Sequence, residues 1–325
     1  MEAQIAFKER PEGGYCKCGR KAVFSRKYEG SYLCKHHFCL SIEKKAKRTI
    51  RQHNMIKSGD RICVALSGGK DSSAVLYILS KVLNGRKDID LFAVSIDEGI
   101  HGYRPESLEI AAKFCEQLGV KHRTLSFKAA FGKSLDEKMG EVAADPSMRI
   151  RESCTYCGVG RRYLMNRMAR LSGATKLCTG HNLDDEAQAV LLNYIRGDLF
   201  RASRMGPVTD WSIKKESDSM FIPRIKPFRE IPEREVALYA ILKGLDIHMD
   251  ECPNVGGIRF EARDFLNNLE AKYPGIKFTV LETFDKLLPA IRQVAEGNEP
   301  RLLRCRICGE PASREVCKTC ELWRL

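Results

Sequence analysis

The sequence predicts an α/β fold, a parallel sheet flanked by helices, with small metal-stapled modules at either end. Three observations carry that prediction. A buried-strand pattern at residues 61–66 runs through a glycine turn into an amphipathic helix at 71–83. Strand-like and helix-like stretches then alternate as far as residue 196. Finally, close cysteine sets sit near both termini, in segments too short to bury a core of their own.

Taken in order, residues 1–14 are polar, with Pro11, Gly13 and Gly14, and read as a flexible lead-in. Residues 15–40 hold Cys16, Cys18, Cys34 and His37, four nitrogen and sulfur ligands for a tetrahedral zinc, with His36 and Cys39 as nearby alternates. Lys44, Lys45, Lys47, Arg48, Arg51 and Lys57 then stud an expected helix at 41–58, either as a solvated face or as a contact for an RNA backbone. The main domain is expected over 41–300. Its strands are placed at 61–66, 91–96, 121–127 and 175–178, and its helices at 71–83, 105–118 and 183–196. Residues 232–244 and 259–297 also read as helical. Residues 301–325 carry Cys305, Cys308, Cys317 and Cys320, the spacing of a zinc ribbon.

Composition narrows the class. Lysine and arginine exceed aspartate and glutamate by 55 to 42 in 325 residues, a net +13 that suits a polyanionic partner. No run approaches the length of a membrane span, and the N-terminus lacks a signal-peptide core, so a cytoplasmic protein is expected. Fourteen cysteines, most of them in metal-like sets, fit a reducing compartment. Cys63, Cys115 and Cys178 fall inside predicted elements and are expected to be small core residues.

The glycine turn carries the first chemistry. Ser67-Gly68-Gly69-Lys70-Asp71-Ser72 lies between a strand and a helix N-terminus, where backbone N–H groups and the helix dipole favour phosphate. A Walker A loop would need glycine where Val64 stands. Ligands of such sheets bind at the carboxyl ends of the strands, which sets Ser67–Ser72, Asp97 and Gly180-His181-Asn182 on one rim. Asp184 and Asp185, opening the next helix, either complement its dipole or hold Mg²⁺ and position substrate.

Cys154 and Cys157 form a C-x-x-C at the start of a basic helix, and Cys252 stands alone before Pro253. Three readings are open: a zinc site completed elsewhere, a redox or persulfide-carrying pair, and an iron–sulfur cluster held by three cysteines with one iron open. Downstream, Arg196, Arg201, Arg204, Lys214, Lys215 and Arg224-Ile-Lys-Pro-Phe-Arg229 interleave with Phe200, Trp211, Phe221 and Phe228. That mixture suits a surface that tracks phosphates and stacks on bases, or a loop whose aromatics tuck into the domain.

The hexapeptide from Ser67 to Ser72 resembles the PP-loop of the N-type ATP pyrophosphatases, which cleave ATP between the α- and β-phosphates. With the C-x-x-C, the Gly180-His-Asn-Leu-Asp-Asp-Glu-Ala187 segment, the lone Cys252-Pro253 and the terminal zinc motifs, nearly the whole chain resembles the cytosolic and archaeal tRNA 2-thiouridine synthetases, relatives of the tRNA 2-thiocytidine enzymes. The resemblance implies a PP-loop ATP pyrophosphatase catalytic domain. In it ATP is bound by Ala65, Leu66, Ser67, Gly68, Gly69, Lys70, Asp71, Ser72, Asp97, Gly180 and His181. It also implies a [4Fe–4S] cluster on Cys154, Cys157 and Cys252, a catalytic Asp185 with Asp184 beside it, and Mg²⁺ with the ATP. Arg161 stands where the family has a lysine; arginine does not exchange protons as lysine does, so an electrostatic role is expected of it. The implied reaction adenylates uracil O2 in tRNA and replaces that oxygen with sulfur. Wobble position 34 is the expected target, with T-loop position 54 or another PP-loop adenylation as alternatives. The expected partners are tRNA, a sulfur donor (free sulfide or a ubiquitin-like thiocarboxylate carrier) and a second copy in a homodimer, with no membrane. A zinc-module RNA-binding protein without catalysis would have no use for Ser67–Ser72.

Overall fold

The apolar run at residue 61 becomes an inner strand of a six-stranded sheet in the computed structural model, which describes residues 14–148, 150, 152–209, 221–254, 256–296 and 303–325. In chain order the first elements are β1 (Phe24–Arg26), β2 (Ser31–Leu33), α1 (Lys35–Gln52), β3 (Arg61–Ala65), α2 (Lys70–Leu83), β4 (Asp90–Asp97) and α3 (Arg104–Leu118). Next come β5 (Lys121–Ser126), α4 (Phe127–Phe131), α5 (Leu135–Ala144), α6 (Ser153–Leu171), β6 (Lys176–Cys178), α7 (Leu183–Arg196) and α8 (Leu199–Ser203). The remainder is β7 (Val208–Thr209), β8 (Arg224–Ile225), α9 (Glu233–Lys243), α10 (Ile258–Lys272), α11 (Ile276–Ala295), β9 (Leu303–Arg304), β10 (Pro311–Ala312) and α12 (Lys318–Trp323).

The sheet runs β5-β4-β3-β6-β8-β7, parallel except for the edge strand β7. Helices cover both faces, so β3 must be apolar on both, and Ile62, Cys63 and Val64 are fully buried. Ile62 and Val64 face a layer built from α1, α2, α3 and α9, whereas Cys63, Phe92 and Val94 face α4, α6 and α12. Cys63, Cys115 and Cys178 are core residues as expected, and burial raises all three thiols.

Several expectations need correction. The basic helix begins at Lys35, inside the first zinc module, and ends at Gln52, so it crosses the expected boundary at residue 40. Its Lys45 is spent on Tyr28 (2.9 Å) and Glu29 (3.0 Å), while Lys44, Lys47 and Arg51 stay exposed. The run at 259–297 is broken at Pro274-Gly275, where Gly275 has φ +99°. From Ile225 to Arg229 the downstream basic segment takes the tucked-in reading, while Arg224 stays partly exposed. Ile225 and Phe228 are core, Lys226 pairs with Glu186 at 2.7 Å, and Arg229 makes a two-pronged contact with Asp285 at 2.9 Å. The lead-in, Trp211, Lys214 and Lys215 lie outside the described residues. Among the described residues no helix is long and apolar enough to cross a membrane.

Candidate active site

At the carboxyl end of β3 the chain turns through Ser67-Gly68-Gly69 into α2, whose N-cap is Gly69. The turn is held from within. Ser72 Oγ accepts from the Ser67 N–H (3.1 Å) and donates to the Gly69 carbonyl (3.1 Å), and the two serine hydroxyls lie 3.0 Å apart. Gly68 has φ +83°, and a Cβ there would lie 2.2 Å from the Ser107 carbonyl oxygen, so only glycine lets α3 pack against the loop. Gly180 allows a second close approach: its Cβ would stand 2.7 Å from the Asp71 carbonyl carbon.

Lys70 reaches Asp71 (3.0 Å) and Glu233 (2.7 Å), which raise its pKa against the effect of burial. Burial, with the negative charges of Asp185 and Glu233, pushes Asp71 up to about 6 against the pull of Lys70. Asn182 caps α7 by accepting from the Asp185 N–H and donates its own amide to Asp71 at 3.1 Å, so the α7 start and the loop form one surface. Asp185 completes the capping box and takes Arg259 at 2.7 Å. Asp184 turns away: it is buried, accepts from the Glu233 N–H (2.7 Å) and from Lys277, and ties α7 to α9 and α11. Asp184, expected either to complement the α7 dipole or to hold Mg²⁺ with Asp185, accepts one bond on each oxygen, as Asp71 and Asp185 do on theirs. His181 is kept toward its neutral form by burial and shares a 2.8 Å contact with Thr179. Asp97 accepts from the Gly99 N–H at 2.8 Å at the end of β4.

Cys154 and Cys157 occupy the first turns of α6. The Cys154 thiol donates to the Asn254 carbonyl at 3.1 Å, so the turn carrying Cys252 is drawn to the start of α6 across about a hundred residues of sequence. Cys157 and Cys252 pack against the same apolar cluster. Burial pushes the Cys157 thiol up to about 11, opposed by Arg161, and raises Cys252 as well. Arg161 stays firmly charged: burial works against it, and Cys157, Glu98 and Tyr103 outweigh that.

A relay, buried at Arg104 and Glu98 and half-exposed at Arg161, joins the two halves. Arg104, at the start of α3, donates to the Ser67 carbonyl (3.0 Å) and lies 2.7 Å from Glu98. The other Glu98 oxygen is 3.5 Å from Arg161, beside the thiols. The sequence analysis gave neither Glu98 nor Arg104 this role; a charged pair buried at 3% and 4% exposure has no local signature. Glu233, Arg259 and Lys277, which fix the acidic side chains, were missed as well.

The terminal sets have the geometry of single-ion sites, with all ligand atoms within 4.8 Å of one another. Cys16 lies 3.1 Å from His37 Nδ1, Cys18 is 3.7 Å from Cys34, and the pairs Cys305–Cys320 and Cys308–Cys317 are 3.8 and 3.7 Å apart. A tetrahedron with Zn–S bonds of about 2.3 Å has edges of about 3.8 Å, so these residues fit zinc. Backbone N–H groups of Cys18 and Cys34 lower Cys16 to about 6, toward the thiolate a metal needs. The alternates His36 and Cys39 are outside the set, and Cys39 is core.

A family model described as a PP-loop domain matches residues 40–266. The tRNA 2-thiolation protein NcsA of Haloferax volcanii is 39% identical over 316 residues, covering 94% of this chain and 97% of that one. This chain belongs to the PP-loop tRNA 2-thiolation family. Another relative within it, the tRNA-5-methyluridine(54) 2-sulfurtransferase of Pyrococcus horikoshii, is 35% identical, with 95% and 94% of the two chains covered. The solved U34-tRNA thiolase NcsA of Methanococcus maripaludis, with its [4Fe–4S] cluster, superposes with a TM-score of 0.78 at 34% identity and 95% coverage of both chains. The family's α/β architecture is therefore the fold of this chain.

Proposed function

We propose that this chain is an ATP-dependent tRNA sulfurtransferase that converts a uridine to 2-thiouridine in the cytoplasm. The observation that carries the proposal is the relay Ser67 carbonyl–Arg104–Glu98–Arg161, which sets the phosphate loop three side chains from Cys157 and Cys252. Activation of the base and delivery of sulfur then share one cavity.

The loop from Ser67 to Ser72, with Ala65, Leu66, Asp97, Gly180 and His181 around it, holds ATP with its α-phosphate toward the base. Uracil O2 attacks the α-phosphorus and pyrophosphate leaves. Lys70 and the α2 N-terminus face the charge that builds on the departing group. Asp185, with Asp71 opposite, is the carboxylate pair that holds Mg²⁺, which supplies Lewis-acid stabilisation of the phosphates when bound. A hydrosulfide sulfur then attacks C2 and the C2–O2 bond breaks. AMP departs with the oxygen, and the sulfur's proton is lost to water.

Cys154, Cys157 and Cys252 fit a [4Fe–4S] cluster: they approach from two elements, one is exposed, and they are spread more widely than the single-ion sets, as a multi-iron core requires. A cluster on three thiolates supplies an open iron that can carry sulfur. Arg161 stabilises the negative charge that gathers there, and zinc fills both terminal sets. The target base must leave its stack to enter, which fits a tRNA loop. Position 34, the target of the solved relative, is our first assignment, and position 54 is the alternative. Free sulfide or a thiocarboxylate carrier serves as donor, and the working unit is a homodimer.

Anaerobic reconstitution of Cys252→Ala tests the reading. The brown cluster absorption and 2-thiouridine in tRNA, scored by nucleoside mass spectrometry, should both vanish while two zinc per chain remain. Full thiolation by this variant would refute it, and the same nucleoside assay on position-specific tRNA fragments reports which uridine reacts.

A further inference from the structure

Beside the phosphate loop, the segment leading to Cys252 is clamped to the loop by its backbone. The His248 N–H donates to the Gly68 carbonyl at 2.9 Å, and His248 pairs with Gly69 as a parallel bridge. The imidazole is buried at 7% exposure, and its Nε2 has no hydrogen-bond partner. An imidazole nitrogen shut away from water without a partner is costly, so the side chain is held there for a ligand.

That nitrogen points at two carboxylates. Asp250 Oδ2 is 3.7 Å away and Glu106 Oε2 3.9 Å, too far for hydrogen bonds, and the three atoms all lie within 4.8 Å of one another. Both carboxylates are exposed, while the edge-on Tyr103 ring, 5.0 Å from the imidazole, walls the other side. We propose that Glu106, His248 and Asp250 form a divalent transition-metal site, for Zn²⁺ or Mn²⁺, distinct from the terminal cysteine sets and from the Asp71–Asp185 surface. One imidazole with two carboxylates is a donor set for these ions and a poor one for Mg²⁺, which prefers oxygen and water. Ligation at about 2.1 Å brings nitrogen and oxygen to roughly 3.0–3.4 Å, so the exposed carboxylates need to rotate inward by less than about an ångström.

The three ligands come from the start of α3, which packs on Gly68, and from the strap that ends in Cys252. A bound ion therefore pins that strap to the phosphate loop and fixes the approach of Cys252. This role rests on the thiolation reading, but the site itself does not.

The test is a Mn²⁺ titration followed by electron paramagnetic resonance. It uses the full chain with zinc-loaded terminal sets and no ATP, tRNA or cluster, so its failure would leave the thiolation proposal standing. We expect one Mn²⁺ per chain that Zn²⁺ displaces. Its affinity should fall at least tenfold in Glu106→Gln/Asp250→Asn, whose exposed side chains leave the fold intact, and should persist in Asp185→Asn. Equal Mn²⁺ binding by the wild type and the double variant, no binding at all, or loss in Asp185→Asn instead would overturn it.

Discussion

Replacing Glu98 by glutamine cuts the relay between the phosphate loop and the thiols at its middle. Glu98 and Arg104 are both nearly fully buried and lie 2.7 Å apart, and removing one member of such a pair usually costs about 3–5 kcal/mol. The low end applies here. Arg104 keeps three neutral acceptors, the Ile96 and Ser67 carbonyls and Ser107 Oγ, and its Nε–H already points to Ile96 (2.8 Å). The arm to Arg161 is longer, at 3.5 Å, and the Arg161 side chain is about half exposed, so that contact is worth no more than about 1 kcal/mol. Glu98→Gln should therefore lose about 3 kcal/mol in urea unfolding at constant slope, and Arg161→Gln less than about 1 kcal/mol. Both should lose thiolation, whereas ATP affinity should stay close to the wild type in both, because Arg104 still holds the Ser67 carbonyl. If Glu98→Gln unfolds within about 1 kcal/mol of the wild type, or Arg161→Gln is the more damaging of the two, the relay is not the link we describe.

Three further outcomes are expected. His122 bonds Ser95 Oγ at 2.7 Å, and burial lowers its pKa. Below about pH 6.5 the unfolded chain takes up the proton first, so His122 makes stability fall as the pH drops through that range, and His122→Gln should flatten urea-unfolding profiles between neutral and acid pH. Trp323 packs edge-on against Phe127 at 4.9 Å and tilted over Phe131 at 4.5 Å, so Trp323→Ala should cost about 3–5 kcal/mol. In a Trp211→Phe background, chelating zinc should red-shift the remaining tryptophan emission as that anchor loosens. Arg162→Gln/Arg224→Gln should weaken tRNA binding and lower the salt slope by about 1.4–1.8, two phosphate contacts' worth, without changing ATP affinity.

What could be read from the sequence was whatever is encoded locally. The Arg61–Ala65 strand, the two-glycine turn and the helix behind it declare themselves through β-propensity, a required positive φ at Gly68 and apolar periodicity. Sets such as Cys305, Cys308, Cys317 and Cys320 are legible because metal geometry fixes their spacing. The partners of charged residues were not legible, because they lie far away in sequence. Lys226 and Arg229 sit among aromatics and fitted either an RNA face or a tucked-in loop; their partners Glu186 and Asp285, 40 and 56 residues away, pull them into the core. The tie from Asp184 to Lys277 was hidden for the same reason: that partner lies 93 residues on. Helix α5 was missed although its capping box, Ser134 with Glu137, is a local signal that was there to be read.

That internal use of charge changes how the net +13 should be understood. Arg26 is buried against Glu235, Arg104 against Glu98, and Lys226 and Arg229 against Glu186 and Asp285, so these cations offer nothing to a polyanion. The cations that remain available are not spread evenly. Arg162 is lowered to about 10, first by burial and then by the charges of Arg224, Arg161 and Arg201, and burial lowers Arg224 too. No carboxylate lies within ion-pair distance of Arg162 or Arg224 among the described residues, and Arg162 keeps exposed surface, so these cations stay open to a polyanion. We expect an arriving phosphate to offset the like charge that Arg162 feels, and the Arg162→Gln/Arg224→Gln pair tests that. Arg162 also feels Cys157, so on the proposed thiolation reading a strand gripped there is expected to bring its unstacked base toward the thiols.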